Sequence, residues 1–169
     1  MKIGIISDTH DRLSLIDSAV KRLNQEKVGL VLHAGDYIAP FVVSHFKSLE
    51  AKMIGVFGNN DAEIVLLQKK FSELNAQVYG GFAEIAVAGL KMALVHGHES
   101  NLLNSLINTN FYDFVIHGHT HQDSVHFVGE TIVVNPGEVC GYLTGKPTIA
   151  ILETATKNTK IVSLRNCDL

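Results

Sequence analysis

The sequence has few of the features that mark secreted, membrane-spanning or nucleic-acid-binding chains. Its only cysteines, Cys140 and Cys167, are too few for a disulfide framework, so we expect a reduced, cytoplasmic setting. A ligand role for Cys140 stays open but has little support, because no second cysteine lies near it. No apolar run approaches the roughly 18 residues of a membrane helix. The stretch from Lys2 lacks the apolar region and cleavage site of a signal peptide.

Clusters of basic residues are also missing. The net charge is −3, which argues against a broad electrostatic grip on nucleic acid. With 46% hydrophobic and 18% charged residues, the composition is typical of a globular protein. A chain of 169 residues can bury its own core, and we expect one domain over residues 1–169.

Five short polar segments each follow an apolar run that predicts a buried strand. The runs cover residues 3–6, 30–32, 53–57, 92–95 and 114–116. The segments after them are Asp8-Thr9-His10, Gly35-Asp36, Gly58-Asn59-Asn60-Asp61, His96-Gly97-His98 and Gly118-His119-Thr120-His121. In open α/β sheets, sites form outside the carboxyl ends of strands, so we expect the five segments to converge.

The remaining periodicity predicts four helices and further strands. Apolar spacing indicates amphipathic helices after His10 and after Asp36, the second with Pro40 in its first turn, and helices over 63–74 and 101–109. A hairpin is predicted over 83–87 and 91–95, and strands over 113–117, 123–127, 131–134, 148–153 and 160–164. This content favours two packed sheets covered by helices over one doubly wound sheet.

The side chains in the five segments are metal ligands by type. If the extended backbone continues past Ser7, Asp8 and His10 point to the same side, and His119 and His121 repeat that spacing. Seven groups are more than one ion needs and suit two ions that share Asp36; they are Asp8, His10, Asp36, Asn59, His96, His119 and His121. Nitrogen and oxygen donors without a thiolate fit Mn²⁺, Fe²⁺, Zn²⁺, Ni²⁺ or Co²⁺ rather than Ca²⁺.

Each segment taken alone has an ordinary structural interpretation as a turn with a solvated side chain. We interpret four histidines as core or surface residues without a ligand role: His33, His45, His117 and His126. Three interpretations of His98 stay open: a group behind the ligands, a substrate contact, or the end of a strand. Asn135-Pro136-Gly137 is a turn that could border the site, and Arg12 is a solvated residue at a helix start that could reach a phosphate.

Together the five ordered segments resemble the calcineurin-like metallophosphoesterase superfamily. The later run Asn135-Pro136-Gly137-Glu138, with residues 140–145, is similar to its small single-domain prokaryotic phosphodiesterases. The resemblance implies an α/β fold, a four-layer α/β/β/α sandwich of two mixed β-sheets flanked by helices. It also implies that Asp8, His10 and His121 hold one ion, that Asn59, His96 and His119 hold a second, and that Asp36 bridges both, with Mn²⁺ the expected metal.

The expected reaction is hydrolysis of a small phosphodiester by in-line attack of a metal-bridging hydroxide, with Asp36 and Asn60 as catalytic residues. Two ions with two carboxylates and a hydroxide leave a small positive charge, which a diester anion would neutralise. The sequence departs from its relatives at Asn60, where many have histidine. Asn60 can donate a hydrogen bond but cannot act as a general acid, a role worth about 10²–10⁴-fold in rate.

Two other functions are weighed against this one. The retromer complex contains a scaffold subunit of similar fold, but that subunit departs from the full ligand set that this chain keeps. Nucleases of the superfamily carry extra elements that grip the strand, so long nucleic acid is not an expected substrate for a short acidic chain. The pattern leaves a homo-oligomer open.

Overall fold

The computed structural model describes residues 1–164, and Cys167 lies outside this range. The strands in chain order are β1 (Lys2–Ile6), β2 (Leu30–His33), β3 (Lys52–Gly55), β4 (Ala76–Val78), β5 (Phe82–Val87), β6 (Leu90–Val95), β7 (Phe114–Ile116), β8 (Ser124–Val128), β9 (Thr131–Asn135), β10 (Thr148–Glu153) and β11 (Asn158–Ser163). The helices are α1 (Leu13–Gln25), α2 (Ile64–Ser72) and α3 (Ser100–Asn108), with a 3₁₀ helix over Pro40–Phe46.

The strands form two mixed sheets. The first has the order β11-β10-β1-β2-β3-β4, in which β1 to β4 are parallel and β10 runs antiparallel to β1. The second has the order β5-β6-β7-β9-β8, in which β6, β7 and β9 are parallel. Parallel strands that are covered on both faces read as continuous apolar runs, which explains why β1, β2 and β7 could be predicted from the sequence.

Side-chain alternation along β1 distributes the core over several layers. Ile3 and Ile5 pack with Met92 and Phe114 of the second sheet, so this apolar cluster lies between the sheets. Ile6 instead joins the cluster beneath α1, α2 and the 3₁₀ helix. A smaller cluster lies between the second sheet and α3. The expected four-layer α/β/β/α sandwich of two mixed β-sheets flanked by helices is therefore confirmed.

Helix α1 shows how the sequence pattern produces packing. Its buried residues are Ile16, Ala19, Val20 and Leu23, which repeat every three or four positions and lie on one face. Full burial of a large aliphatic side chain stabilises the folded state by about 1.5–3 kcal/mol relative to leaving it exposed. At 13 residues, α1 is the longest helix in residues 1–164, and none of the helices there is long and apolar enough to cross a bilayer.

Two parts of the predicted secondary structure differ from the observed one. The helix after Asp36 is a 3₁₀ helix, in which Val42 N–H donates to the Ala39 carbonyl, three residues back. The apolar spacing alone does not distinguish this tighter helix from an α-helix. Strand β4 was not predicted because its three residues, which pair with β3, are too few to show a period.

Candidate metal centre

The five polar segments meet at one edge, where the carboxyl ends of the parallel strands of both sheets face each other. Backbone hydrogen bonds fix the loops: Asp8 N–H donates to the Gly35 carbonyl at 3.0 Å, and Gly118 N–H donates to the His96 carbonyl at 2.9 Å. The two sheets are joined here by the His119 N–H, which donates to Asp8 Oδ2 at 3.1 Å. The expected convergence of strand ends thus follows from the topology.

Five of the seven predicted ligands have a left-handed backbone. The φ angles are 53° at Asp8, 39° at His10, 62° at Asp36, 66° at His119 and 61° at His121. The premise that extended geometry continues past β1 is therefore wrong, and a turn brings Asp8 and His10 together instead. Left-handed non-glycine residues are strained and cluster at functional sites.

Asp36 is the centre of the short side-chain contacts. It is 1% exposed, and its Oδ2 lies 3.3 Å from His10 Nε2 and 3.4 Å from His96 Nε2. The Asn60 side-chain amide donates to the same oxygen at 2.7 Å, and the Asn60 backbone N–H donates to Oδ1 at 3.0 Å. One carboxylate therefore contacts groups from three different loops.

Asp8 holds a second set of contacts beside the first. Its Oδ1 lies 3.3 Å from His121 Nε2 and 3.6 Å from His10 Nε2, so His10 lies between the two carboxylates. Asp8, His10 and Asp36 each offer one ligand atom, and these atoms lie within 4.8 Å of one another. That spacing brings all three groups within reach of a single ion.

Three buried polar atoms in this cluster lack a hydrogen-bond partner: Asp8 Oδ1, His10 Nε2 and His96 Nε2. A buried polar atom left unsatisfied costs about 1–3 kcal/mol. The two imidazole nitrogens face a carboxylate oxygen of Asp36, and Asp8 Oδ1 faces imidazole nitrogens, so cations among them would satisfy carboxylate and imidazole together. The donor types fit a divalent transition metal.

The pKa values show how strongly the cluster attracts positive charge. Burial alone would raise the pKa of Asp36, but the neighbouring His10 and His96 imidazoles and the Asn60 amide outweigh it and hold that pKa well below its usual range. Burial alone would lower the pKa of His10, but Asp36 and Asp8 raise it to about 9. The pKa of His96 is raised for the same reason. A metal ion would compete with these protons for the same atoms.

The last two predicted ligands lie at the rim. The His119 ring is exposed, and its centroid lies 5.1 Å from that of His96. Asn59 is exposed in the turn after β3, and among residues 1–164 none of the short contacts described above includes its side chain. Six of the seven predicted ligands are thus gathered by side-chain contacts, whereas Asn59 is placed beside them only by its loop.

A buried carboxylate that was not assigned a role supports the Asp36 loop. Asp61 is 7% exposed and accepts four backbone hydrogen bonds. Its Oδ1 receives the N–H groups of Tyr37 and Ile38 at 2.7 and 2.8 Å, and its Oδ2 receives those of Asp36 and Gly58 at 3.0 and 2.8 Å. Asp61 therefore fixes the loops after β2 and β3 to each other; the only signal in the sequence was its place at the end of a predicted ligand segment.

A second unassigned carboxylate, Glu138, lies behind His121. It is fully buried, and its Oε2 lies 2.6 Å from His121 Nδ1, which leaves Nε2 to face Asp8. It also accepts the N–H groups of residues 142–144, the Thr144 hydroxyl and the Cys140 thiol. A carboxylate that holds a ligand histidine in this way fixes its tautomer and orientation. Its signal in the sequence was the run Asn135-Pro136-Gly137-Glu138.

Cys140 lies beside the cluster with its thiol hydrogen-bonded to Glu138. Although its sulfur lies near His10 and His121, burial raises the pKa of the thiol to about 12, with Glu138 adding to the effect. Metal ligation by cysteine requires the thiolate. The thiol instead donates a hydrogen bond to Glu138 at 3.1 Å, which agrees with the expected structural role.

The histidines interpreted as structural lie apart from the short contacts of the cluster. His33 is buried beneath it and accepts the Gly35 N–H at 3.1 Å, and burial lowers its pKa to about 3. His117 is buried, His45 lies 2.8 Å from Asp17, and His126 is exposed on β8. His98 is exposed at the rim, with its ring centroid 5.5 Å from His96 and 6.1 Å from His119.

Arg12 and the Asn135-Pro136-Gly137 turn both border the cluster. The Arg12 guanidinium lies over the Tyr142 ring at 5.1 Å, and the His10 ring is 6.4 Å from the same tyrosine. The Asn135 amide donates to the Gly118 carbonyl at 2.9 Å and so supports the loop that carries His119 and His121.

Comparison with known proteins gives consistent matches over nearly the whole chain. Residues 1–157 match the model of the calcineurin-like phosphoesterase superfamily domain. A phosphodiesterase from Methanocaldococcus jannaschii is 42% identical over 165 residues, covering 97% of this chain and 99% of that protein. The solved structure of an archaeal phosphodiesterase gives a TM-score of 0.93 at 41% identity, over 96% of this chain and 99% of the other.

A more distant structural relative is Vps29 from Entamoeba histolytica, solved in complex with zinc. It covers 98% of this chain and 100% of its own, with a TM-score of 0.69 at 21% identity. At that identity the similarity shows the shared fold alone.

Proposed function

The chain belongs to the calcineurin-like phosphoesterase superfamily, and from this premise we propose that it hydrolyses a small phosphodiester at a centre of two divalent transition-metal ions. The chain is a phosphoesterase, as its family is, and the proposal adds the two ions, their ligands and the substrate class. The observation that carries it is the approach of His10, His96 and Asn60 to the Asp36 carboxylate. We also propose that residues 1–169 form one domain and act in the cytoplasm.

We assign the ligands as the family resemblance implies, and the contacts support part of the assignment. Asp8, His10 and His121 would hold one ion, as the distances of 3.6 and 3.3 Å from Asp8 Oδ1 to His10 Nε2 and His121 Nε2 support. His96, His119 and Asn59 would hold the other, with Asp36 shared between the two. Mn²⁺ is the favoured metal, although the donor set also suits Fe²⁺, Zn²⁺, Ni²⁺ and Co²⁺.

When bound, such ions supply Lewis acidity and a nucleophilic hydroxide at neutral pH, which is attack chemistry that the side chains alone lack. The chain itself contributes positioning. The Asn60 amide carries two N–H groups, of which one donates to Asp36 and the second can donate to a phosphoryl oxygen. Because an amide cannot release a proton, Asn60 stabilises charge without protonating the leaving group. We therefore expect the fastest hydrolysis for substrates whose leaving group departs readily without being protonated.

A second candidate function is a scaffold that binds metal but has little activity, which the fold shared with Vps29 makes worth testing. The retained carboxylate and histidine contacts and the 42% identity to a phosphodiesterase over nearly the full chain favour the enzyme instead. Long nucleic acid is not proposed as a substrate, because the chain carries a net charge of −3.

The test is an assay of metal-stripped protein on an activated aryl phosphodiester and the matching monoester, with Mn²⁺, Ni²⁺, Zn²⁺ or Mg²⁺ restored. We expect metal-dependent cleavage of the diester, lost in Asp36→Asn. We expect Asn60→His to gain activity on the monoester, because it restores an acid near the leaving group. No turnover with any metal in a protein that still binds two ions would favour the scaffold.

A further inference from the structure

A cavity of about 180 Å³ opens directly beside the metal centre. It lies between the start of β5, the end of β6 and the first turn of α3. Its wall includes His96, whose Nε2 lies 3.4 Å from Asp36 Oδ2, so the cavity and the proposed metal site share a residue. We call it the Phe82 pocket; its lining includes Phe82, Val95, His96, His98, Leu102 and Leu103.

The walls of the Phe82 pocket are mainly apolar. Phe82 is 39% exposed and Leu102 is 37% exposed, although both side chains are large and hydrophobic. Phe82 pairs with Val95 in the sheet, so it lies at the end of β6 that is followed by His96. Apolar side chains left open to solvent on a concave surface gain free energy when an apolar group covers them. The pocket therefore suits an uncharged part of a ligand.

One polar side chain stands between the pocket and the ligand cluster. The exposed His98 lines the pocket, and its ring centroid lies 5.5 Å from His96 and 6.1 Å from His119. A planar group in the pocket would thus meet an imidazole on the side that faces the metal centre. Imidazole both packs against rings and forms hydrogen bonds, so this wall suits an aromatic or heteroaromatic ring.

The volume limits how much of a ligand can enter. Sites for whole ligands usually span about 300–1,000 Å³. At about 180 Å³, the Phe82 pocket is below this range and suits one ring rather than a complete substrate. Because the remainder of the ligand must lie outside it, the adjacent metal centre is the natural place for the phosphate.

We propose that the Phe82 pocket binds one aromatic ester substituent of the phosphodiester while its phosphate lies at Asp36. This inference rests on the proposed phosphodiesterase function and names its substrate class, a diester with at least one aryl or heteroaryl ester group. It also answers the open question about His98, which becomes a substrate contact at the entrance of the pocket. Substrate preference then depends on Phe82 and Leu102.

The experiment compares phenyl p-nitrophenyl phosphate with methyl p-nitrophenyl phosphate in the Mn²⁺-loaded protein. Both substrates release the same leaving group, so the ratio of their kcat/KM values reports binding of the other substituent. We expect the wild type to prefer the phenyl ester, and we expect Phe82→Ala and Leu102→Ala each to lower this ratio about tenfold. Phe127→Ala, an equally large truncation at a side chain 70% exposed on β8, should leave the ratio unchanged.

If the p-nitrophenyl leaving group occupies the pocket, the kinetic ratio is uninformative, and a binding measurement is needed instead. Diphenyl phosphate presents a ring in either orientation, and we expect calorimetry to show its Kd weakened about tenfold in Phe82→Ala and Leu102→Ala. Thermal melts and metal stoichiometry establish that each variant is folded and loaded. An unchanged ratio together with an unchanged Kd overturns the inference. If the wild type cleaves neither ester, the proposed function fails, and the diphenyl phosphate Kd still decides whether the pocket binds a ring.

Discussion

Replacing Asp61 by asparagine should destabilise the metal-free protein more than any comparable change at a surface carboxylate. Asp61 accepts four backbone N–H bonds of 2.7 to 3.0 Å and is 7% exposed. Asparagine keeps the shape but replaces one oxygen with an NH₂ group. Two of the four N–H groups would then face a donor, and the other two would bond to a neutral oxygen.

The magnitude follows from the bonds that are lost. Hydrogen bonds to a charged group contribute about 1.5–3 kcal/mol each, and a buried N–H without an acceptor costs about 1–3 kcal/mol. Partial relaxation of the loops offsets some of the two lost bonds, so we expect Asp61→Asn to lower the free energy of unfolding by about 3 kcal/mol. The same bonds position Asp36, and the affinity for metal should fall as well.

Urea unfolding of the metal-free protein measures this loss, because bound ions would add their own binding free energy to the folded state. Asp17→Asn is the matched control: its carboxylate is 58% exposed and lies 2.8 Å from His45, and we expect a change within about 0.5 kcal/mol. A loss below about 1 kcal/mol for Asp61→Asn, at an unchanged m-value, would refute the view that Asp61 ties the two loops together.

Two further changes probe the surroundings of the site, and a third probes an ion pair at the far end of β1. Glu138→Gln should weaken Mn²⁺ binding about 10–100-fold in calorimetry, because the charge behind a proposed histidine ligand is lost. Gly58→Ala should weaken both Mn²⁺ binding and stability, by about 1–3 kcal/mol for stability, because its Cβ would collide with the Asp36 carboxylate. For Glu26, hydrogen bonds, first that from Lys2, lower its pKa to about 2, so the stabilisation it gives is complete above pH 4.5 and is lost towards pH 2. In urea unfolding, the stability difference between wild type and Glu26→Gln should shrink over that window.

Each of these variants has a matched control. Glu153→Gln removes an exposed carboxylate at the end of β10 and should leave Mn²⁺ binding unchanged. Gly80→Ala adds a methyl group where no heavy atom lies within 4 Å, so stability should be retained. Glu130→Gln replaces an exposed carboxylate, and its free energy of unfolding should follow that of the wild type at every pH. If a variant and its control changed the measured quantity equally, the contact to which the variant's effect is attributed would not be its cause.

The sequence predicted those parts of the molecule in which local pattern and tertiary structure agree. The apolar runs before Asp8 and Asp36 are strands because they lie inside the first sheet with both faces covered, and polar residues follow where the sheet ends. Family resemblance added the four layers and the assignment of ligands. The assignment of all seven ligands, their division between two ions and the catalytic roles of Asp36 and Asn60 stay predictions.

What the sequence could not predict depends on contacts between distant segments. Asp61 and Glu138 act through backbone N–H groups, which look the same in every sequence, so the pattern of side chains carries no sign of their partners. The Phe82 pocket is formed when β5 and α3 come together, and apolar residues such as Leu102 read as ordinary core positions in the pattern. The 3₁₀ helix likewise shares its apolar spacing with an α-helix.

The strained backbone of the candidate metal centre is the structural reason why its predicted ligands can meet. In an extended strand, side chains two apart point the same way, but they also follow the sheet edge and stay several ångströms apart. Left-handed turns at Asp8, His10 and Asp36 instead fold each loop back on itself and bring the three side chains into contact. Such conformations cost about 1–2 kcal/mol each and persist only where surrounding contacts over-determine them. Asp61 supplies four of those contacts to the loops around Asp36, so the carboxylate that carries no proposed chemistry holds in place the one that does.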